Sequence, residues 1–416
     1  MVTPFAVDGA CDPFCLPACR RQEELDPGRA LSKLLDSSRG LRTVADVMDC
    51  PNVWFARFPW RRRLVVDIVV ADTPLDADRW DRLVESAEIP TPFARSWWLQ
   101  AWSGPRSRIV HVLDGGELVG GVALESERVR GIELVRLLGH VLAPDHCDLL
   151  ARPGYETTVV SALSDWFARP GQRRIRLEGI ATGAALLDAL PPGDTTAVLD
   201  RAPWQCLPAD FPSYLATRSR MLRKNISRYR RQTVDQGLRH HVVAASDAEF
   251  GLAEMRRLHS ISFGAKSSFL PHFDVFARAA ARGIEKGEVL LHTLVDGDRA
   301  VAVEVVFQVA GRVSTYQSGR DTSDPRIARL GTTLMSHVIE HAIESGCREL
   351  DMLRGSQDYK RFWANDSRDI LSVRVASGRV ATGLERSVAG LRRMKRTFAS
   401  LADARSAHLA VRPAHR

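Results

Sequence analysis

The feature that most constrains this chain is an internal repeat. Residues 109–124 read IVHVLDGGELVGGVAL, and residues 290–305 read LLHTLVDGDRAVAVEV. Each is an apolar strand, a glycine-containing tight turn and a second strand, the pattern of a β-hairpin. A third extended segment follows each hairpin, around 132–138 and 312–319, and then a helical pattern at 155–168 and 330–345. Both helices stop near a glycine, Gly171 or Gly346, able to take the left-handed conformation at a helix C-terminus. Each glycine leads into another strand, QRRIRLEG or CRELDMLRG. Two copies of β-β-β-α-β predict an α/β (α+β) protein of two similar lobes, each a mixed, mainly antiparallel sheet flanked by helices.

The rest of the chain divides around that repeat. Residues 1–60 show little periodicity and read as a disordered extension. Residues 61–190 form the first lobe. Residues 191–212, with Pro191, Pro192, Pro203, Pro208 and Pro212, read as a linker. Residues 213–380 form the second lobe, opening on one basic helix over 213–233 and closing on a strand around 370–376. Residues 381–416 read as a basic amphipathic helix and tail. The segment TPFARSWWLQAW is expected to be an aromatic-rich helix.

Composition narrows the class. No apolar run approaches the roughly 18 residues that a membrane span requires. The first thirty residues mix acids and prolines without a basic start and apolar core, so no signal peptide is expected and the setting is read as cytoplasmic. The seven cysteines are then expected as free thiols. Cys11, Cys15 and Cys19 recur every four residues but lack a fourth ligand nearby, so no metal is expected. The net charge of +8 is concentrated in residues 213–234, with seven bases and no acid, and in 378–416, with nine bases against Glu385 and Asp403. Such a surface favours anionic partners.

Four places carry candidate chemistry. Gly331 is placed at a helix N-terminus, where unpaired amides bind phosphate, with Arg326 and Arg329 close by and Thr332 following. Glu304 lies in the middle of a strand, and a carboxylate enclosed there gains proton affinity and suits a general base; a carboxylate satisfied by a neighbouring Arg is the other reading. A two-residue turn at Ala310-Gly311 sets Glu304 opposite Gln317. In LDMLRGSQDYKRFW, Asp351, Arg354, Tyr359 and Lys360 gather where a strand ends, fitting either a ligand crevice or a structural Asp–Arg pair. On the basic helix, Arg223 and Arg228 are read as binding a polyanion or substrate. Tyr316 reads as core.

The motif D-x-x-R-G-x-x-x-Y-K at 351–360, the basic helix and the Gly331 segment together resemble the CelD/BcsL-type acetyltransferases of the GNAT superfamily, often associated with bacterial exopolysaccharide synthesis. The resemblance implies tandem GNAT-like lobes, as in the FemABX-type peptidoglycan aminoacyl transferases. It implies an acetyl-CoA or other acyl-CoA co-substrate with its pyrophosphate near Gly331, and transfer to an amine or hydroxyl of a small-molecule or glycan acceptor. Catalysis falls to the second lobe, with Glu304, Asp351 and Tyr359 as catalytic residues and Gln317, Arg354 and Lys360 shaping the acceptor side. Two alternatives stand beside it. One is an aminoacyl transferase using charged tRNA; the other is a non-catalytic scaffold protein of an exopolysaccharide system.

Overall fold

The structure is a computed structural model and describes residues 66–388, apart from 193, 194, 324, 325 and 356. The expected extension 1–60 with its four cysteines, and the tail from 389 onward, lie outside the described residues. Thirteen strands form one sheet: β1 (Asp67–Ala71), β2 (Ser107–Asp114), β3 (Glu117–Val129), β4 (Ile132–Leu137), β5 (Leu150–Ala151), β6 (Arg173–Ala181), β7 (Thr195–Cys206), β8 (Leu238–Val242), β9 (Val289–Asp296), β10 (Arg299–Val309), β11 (Arg312–Arg320), β12 (Glu349–Asp351) and β13 (Asp366–Ser377). Their order is β1-β2-β3-β4-β6-β13-β7-β12-β11-β10-β9-β8, with β5 beside β3.

That order reads the same from both ends. In each half a meander of antiparallel strands leads to one parallel pair, β4 with β6 and β11 with β12. The helix between the paired strands is α3 (Glu156–Phe167) in the first half and α8 (Ile327–Glu344) in the second. The hairpins match in detail. A bulge falls at Val119 in β3 and at Val301 in β10. It aligns the cross-strand pair Val110–Val122 with the pair His292–Glu304. The mixed, mainly antiparallel α/β architecture is as the repeat predicts.

The middle of the sheet differs from expectation. Thr195–Cys206, read as linker, is the strand β7 between β13 and β12. Its Pro203 carbonyl accepts from the Met352 amide at 2.8 Å, and the Met352 carbonyl, which a proline cannot serve, accepts from Lys360 Nζ at 2.8 Å. The strand expected to close the second lobe, β13, instead pairs with β6 of the first half and with β7. The two halves therefore share one hydrogen-bonded sheet. The basic helix is also broken, into α4 (Phe211–Ala216) and α5 (Arg220–Asp235). The Ser219 hydroxyl accepts from the Leu222 amide and starts the second piece.

The aromatic segment is a 3-10 turn (Pro92–Ala94) and a short helix, α2 (Ser96–Gln100), following α1 (Ala77–Glu85). Phe93, Trp97 and Trp98 sit against Phe307 and Tyr316 of the second half, with ring centroids 5.6–6.2 Å apart. Trp97 Nε1 donates to Glu288 at 2.6 Å, and Arg95 forms an ion pair with the same carboxylate. This cluster packs one sheet face together with α6 (Ala248–Phe263) and α7 (Phe273–Glu285). The opposite face in the second half is covered by α8, on which α5 packs. No helix among the described residues is long and apolar enough to cross a membrane.

Candidate active site

The site arises where β11 and β12 part. They pair only from Arg312 with Glu349 to Ser314 with Asp351. Beyond that β12 stops, while β11 runs on to Arg320. A bulge at Tyr316 bends β11 at this point: Val306 pairs with Thr315, yet Val305 pairs with Gln317. The extra residue shifts the register, so Glu304 faces Ser318 and not Gln317 as a regular hairpin would have it. The opening is a cleft of about 310 Å³. Its lining brings together Glu304, Gln317, Arg354, Tyr359 and Lys360, five of the residues singled out in the sequence.

Glu304 is the carboxylate at this cleft with the most altered acidity. Enclosure pushes its carboxyl up to about 8, against the opposing charges of Arg320 and Lys360. A group poised there accepts a proton near neutral pH. Tyr359 stands at the mouth, 48% exposed. Enclosure of its hydroxyl and the nearby Glu304 push the phenol up to about 12, so it stays protonated at neutral pH and can donate. The backbone of Thr315–Ser318 lines the cleft without β12 beside it.

The rest of the D-x-x-R-G-x-x-x-Y-K motif builds a clasp and not a catalytic set. Asp351 is fully buried and does not line the cleft. One oxygen lies 2.7 Å from His146 Nε2 and 3.1 Å from Arg312; the other accepts from the Leu353 amide at 2.7 Å. Burial alone would raise its pKa, but these partners hold it far below the carboxylate range. With its oxygens taken, Asp351 has no free edge for a substrate, which corrects its catalytic assignment. Arg354 donates through its backbone and side chain to Asp145 of the first half, and also to the Pro144 carbonyl. Lys360 is 6% exposed and gives its ammonium hydrogens to the carbonyls of Met352, Leu353 and Arg354 at 2.8, 3.1 and 2.7 Å. Both line the cleft; Lys360 has given its three ammonium hydrogens to protein, so its substrate-binding reading is corrected to a supporting one, while Arg354 holds the two halves together through its backbone, Nε and Nη2. The strain is local: Ala143, His146 and Leu353 take φ of +51°, +55° and +53° at this junction.

The phosphate side also rearranges. Helix α8 begins at Ile327 with Arg326 as its cap residue, so Gly331 lies on its second turn and its amide is not among the unpaired ones. Arg326 pairs with Asp296 at 2.9 Å, and Arg329 donates to Gln232 at 3.2 Å. Thr332 is half-buried and does not line the cleft. The cation at the glycine is Arg320, unremarked in the sequence. Its Nη1 lies 2.7 Å from where a Gly331 side-chain carbon would stand. Arg320 makes no side-chain ion pair among the described residues and shares the α8-covered face with Glu304, two positions along the ladder. Gly331 thus makes room for a guanidinium, not directly for a ligand.

Arg223 and Arg228 lie elsewhere. Arg223 donates to the carbonyls of Ala216 and Arg218, and Arg228 bonds Asn225 and the Tyr229 hydroxyl, both on exposed α5 outside the cleft. Tyr316 is core as expected: its ring packs among five aromatic rings, and its hydroxyl donates to the Leu142 carbonyl at 3.0 Å. No motif pointed to His259. Its Nδ1 meets the Ser318 carbonyl and its Nε2 the Ser267 hydroxyl, each at 2.8 Å, which fixes the loop forming one cleft wall. Their spacing along a helix end and loop follows no motif.

Residues 220–361, which hold this cleft, match the family model described as an acetyltransferase (GNAT) domain. The whole structure is similar to the crystal structure of FemX, with TM-score 0.57 and 10% identity over 77% of this chain and 99% of that one. It is also similar to a conserved protein of unknown function from Bacteroides thetaiotaomicron VPI-5482, with TM-score 0.51 and 10% identity over 75% of this chain and all of that one. At such identities the likeness shows the fold. No curated protein matches the chain by sequence. The architecture is a GNAT-type acyltransferase fold. Its second half holds the match to the acetyltransferase (GNAT) domain model, a kind of domain that generally takes acyl-CoA as co-substrate.

Proposed function

We propose that the protein is an acyl-CoA-dependent N-acyltransferase whose single working site is the cleft between β11 and β12. The observation that carries this reading is Glu304: a carboxylate of raised proton affinity, set where the strands part. The first half has Val122 at the matching position, so the chemistry belongs to the second.

In this reading Glu304 takes the proton from the attacking amine while nitrogen bonds to the thioester carbonyl. A backbone amide of Thr315–Ser318 stabilises the oxyanion, and the thiolate leaves as the carbonyl re-forms. Tyr359 is placed to protonate that sulfur. Arg320 and the positive end of the α8 dipole suit the donor's pyrophosphate. The lining is mostly polar, which suits a polar acceptor such as an amino sugar or amino acid; a place in exopolysaccharide or cell-envelope synthesis fits such a substrate.

The test is a thermal-shift titration with CoA, followed by thiol release from acetyl-CoA across amine and sugar acceptors. A ligand bound only by the native state raises its melting temperature. No shift with CoA and no thiol release with any acceptor sink the proposal. A second reading, acyl transfer from charged tRNA, draws on the exposed Arg220, Arg223, Lys224, Arg228 and Arg231, which fall on one side of α5. Stabilisation by tRNA and none by CoA would favour it. Stabilisation by neither favours a scaffold protein.

A further inference from the structure

Beneath α8 lie four histidines that the chemistry above does not use. His292 Nδ1 is 3.0 Å from His240 Nε2. His240 stacks on His337 with ring centroids 4.5 Å apart and planes 3° from parallel. His341 meets His292 edge-on at 5.1 Å. His292 is fully buried, and its Nε2 has no hydrogen-bond partner. An orphaned buried nitrogen is costly and calls for a reason. The described residues contain no group of ligands arranged to hold a metal ion, so a metal does not supply it.

The register supplies one. The cross-strand partner of His292 on β10 is Glu304, which places the two side chains on one face with Cβ atoms about 5 Å apart. At the other end, His240 and His337 line a surface groove of about 910 Å³ beside α5, together with Arg230, Arg231 and Arg239. One row thus runs from the cleft through Glu304, His292 and His240 to a second opening. The first half, with Val110 and Val122 at the same register, has no such row.

Each turnover leaves a proton on Glu304 while donor and acceptor fill the cleft in front of it. Resting on the reading of Glu304 as base, we propose that His292 and His240 relay this proton through the α8-covered face of the sheet to the groove beside α5. Glu304 passes its proton across one bridging water to His292 Nε2. His292 gives the hydrogen on Nδ1 to His240 Nε2, and His240 releases its own Nδ1 hydrogen into the groove. One proton enters and one leaves, with both rings neutral before and after; ring rotation or solvent exchange restores the starting tautomers. Such a relay needs neutral imidazoles. Burial first, and then His341, Arg230 and His241, keep His240 down at about 4; burial, Arg230 and His240 hold His337 at about 3, and burial with His240, His341 and His337 holds His292 well below its ordinary value. Glu340 of α8 faces His337 at 3.7 Å.

The experiment is the rate at which the protonated Glu304 carboxyl exchanges for deuterium at pH 7 with CoA filling the cleft, read by infrared spectroscopy. The band is assigned as the one that Glu304→Gln removes. His292→Asn, and His240→Ala at the groove end of the row, should each slow exchange by about tenfold or more. Added imidazole should restore the rate in His240→Ala. Exchange as fast as in the unmodified protein, in both variants, overturns the relay and leaves the base assignment standing. The absence of any Glu304-dependent carboxyl band overturns the base assignment itself.

Discussion

Glu304 shows how one residue sets function against stability. In the unfolded chain its carboxyl ionises near the ordinary value of about 4.3, but in the native protein it does so at about 8. Between those values the unfolded state binds fewer protons, so stability falls as pH rises through this window and the loss is complete above about 8. Glu304→Gln should therefore melt higher than the unmodified protein at pH 8 and no higher at pH 4. The same change should lower kcat/KM for acyl transfer by about 10²–10⁴, with kcat/KM in the unmodified protein rising through a pKa near 8. Calorimetry and a thiol-release pH profile check the two halves of this prediction. Full turnover in Glu304→Gln removes the base assignment. The position was legible in the sequence because a lone carboxylate breaks a Val-rich strand. Its cross-strand neighbour was not legible, because a single bulge residue, Tyr316, moves the register and no local pattern announces it.

At the scale of elements, the start of α8 gives a prediction with opposed signs. Ala is favoured over Gly inside a helix by about 1 kcal/mol, and the atom that a new side chain would meet is the far end of Arg320. Gly331→Ala should leave the melting temperature unchanged or raised while displacing the guanidinium, weakening CoA binding by about tenfold, of the order of one lost charge-assisted bond. Isothermal calorimetry with CoA reads this directly, and unchanged affinity would remove Arg320 from the donor site. The loop after β12 depends on Lys360 in the same local way. Lys360→Met leaves three carbonyls without their common donor and should cost about 1–3 kcal/mol in chemical denaturation. The sequence marked these segments correctly as sites of charge and turn. It singled out Arg326 and Arg329, which meet Asp296 and Gln232, and passed over Arg320 beside Gly331, because the three differ only in where a strand end and helix start direct them.

For the whole molecule, the shared sheet predicts that the halves do not melt apart. Asp351→Asn weakens the buried contacts to His146 and Arg312 and should cost about 3–5 kcal/mol, shifting one cooperative transition. Two resolved transitions would show that the clasp does not couple the halves. Acid should have a related effect. In the unfolded chain the buried histidines take up protons near pH 6.5, whereas the native His240 and His337 do so only near 4 and 3. Stability should therefore be full above about 6.5 and fall steadily as pH drops toward 4; His240→Asn combined with His337→Asn should flatten that slope in urea titrations. By itself the sequence determined the repeat, the two β-β-β-α-β units and the carboxylate in β10, because periodicity, turns and an isolated charge are local. Only the tertiary structure decided that β7 and β13 cross between the halves, that Asp351, Arg354 and Lys360 are a clasp, and that His292 stands beside Glu304. Strand exchange, ion pairing and register join residues far apart in the chain, and their energies exist only once the sheet has formed.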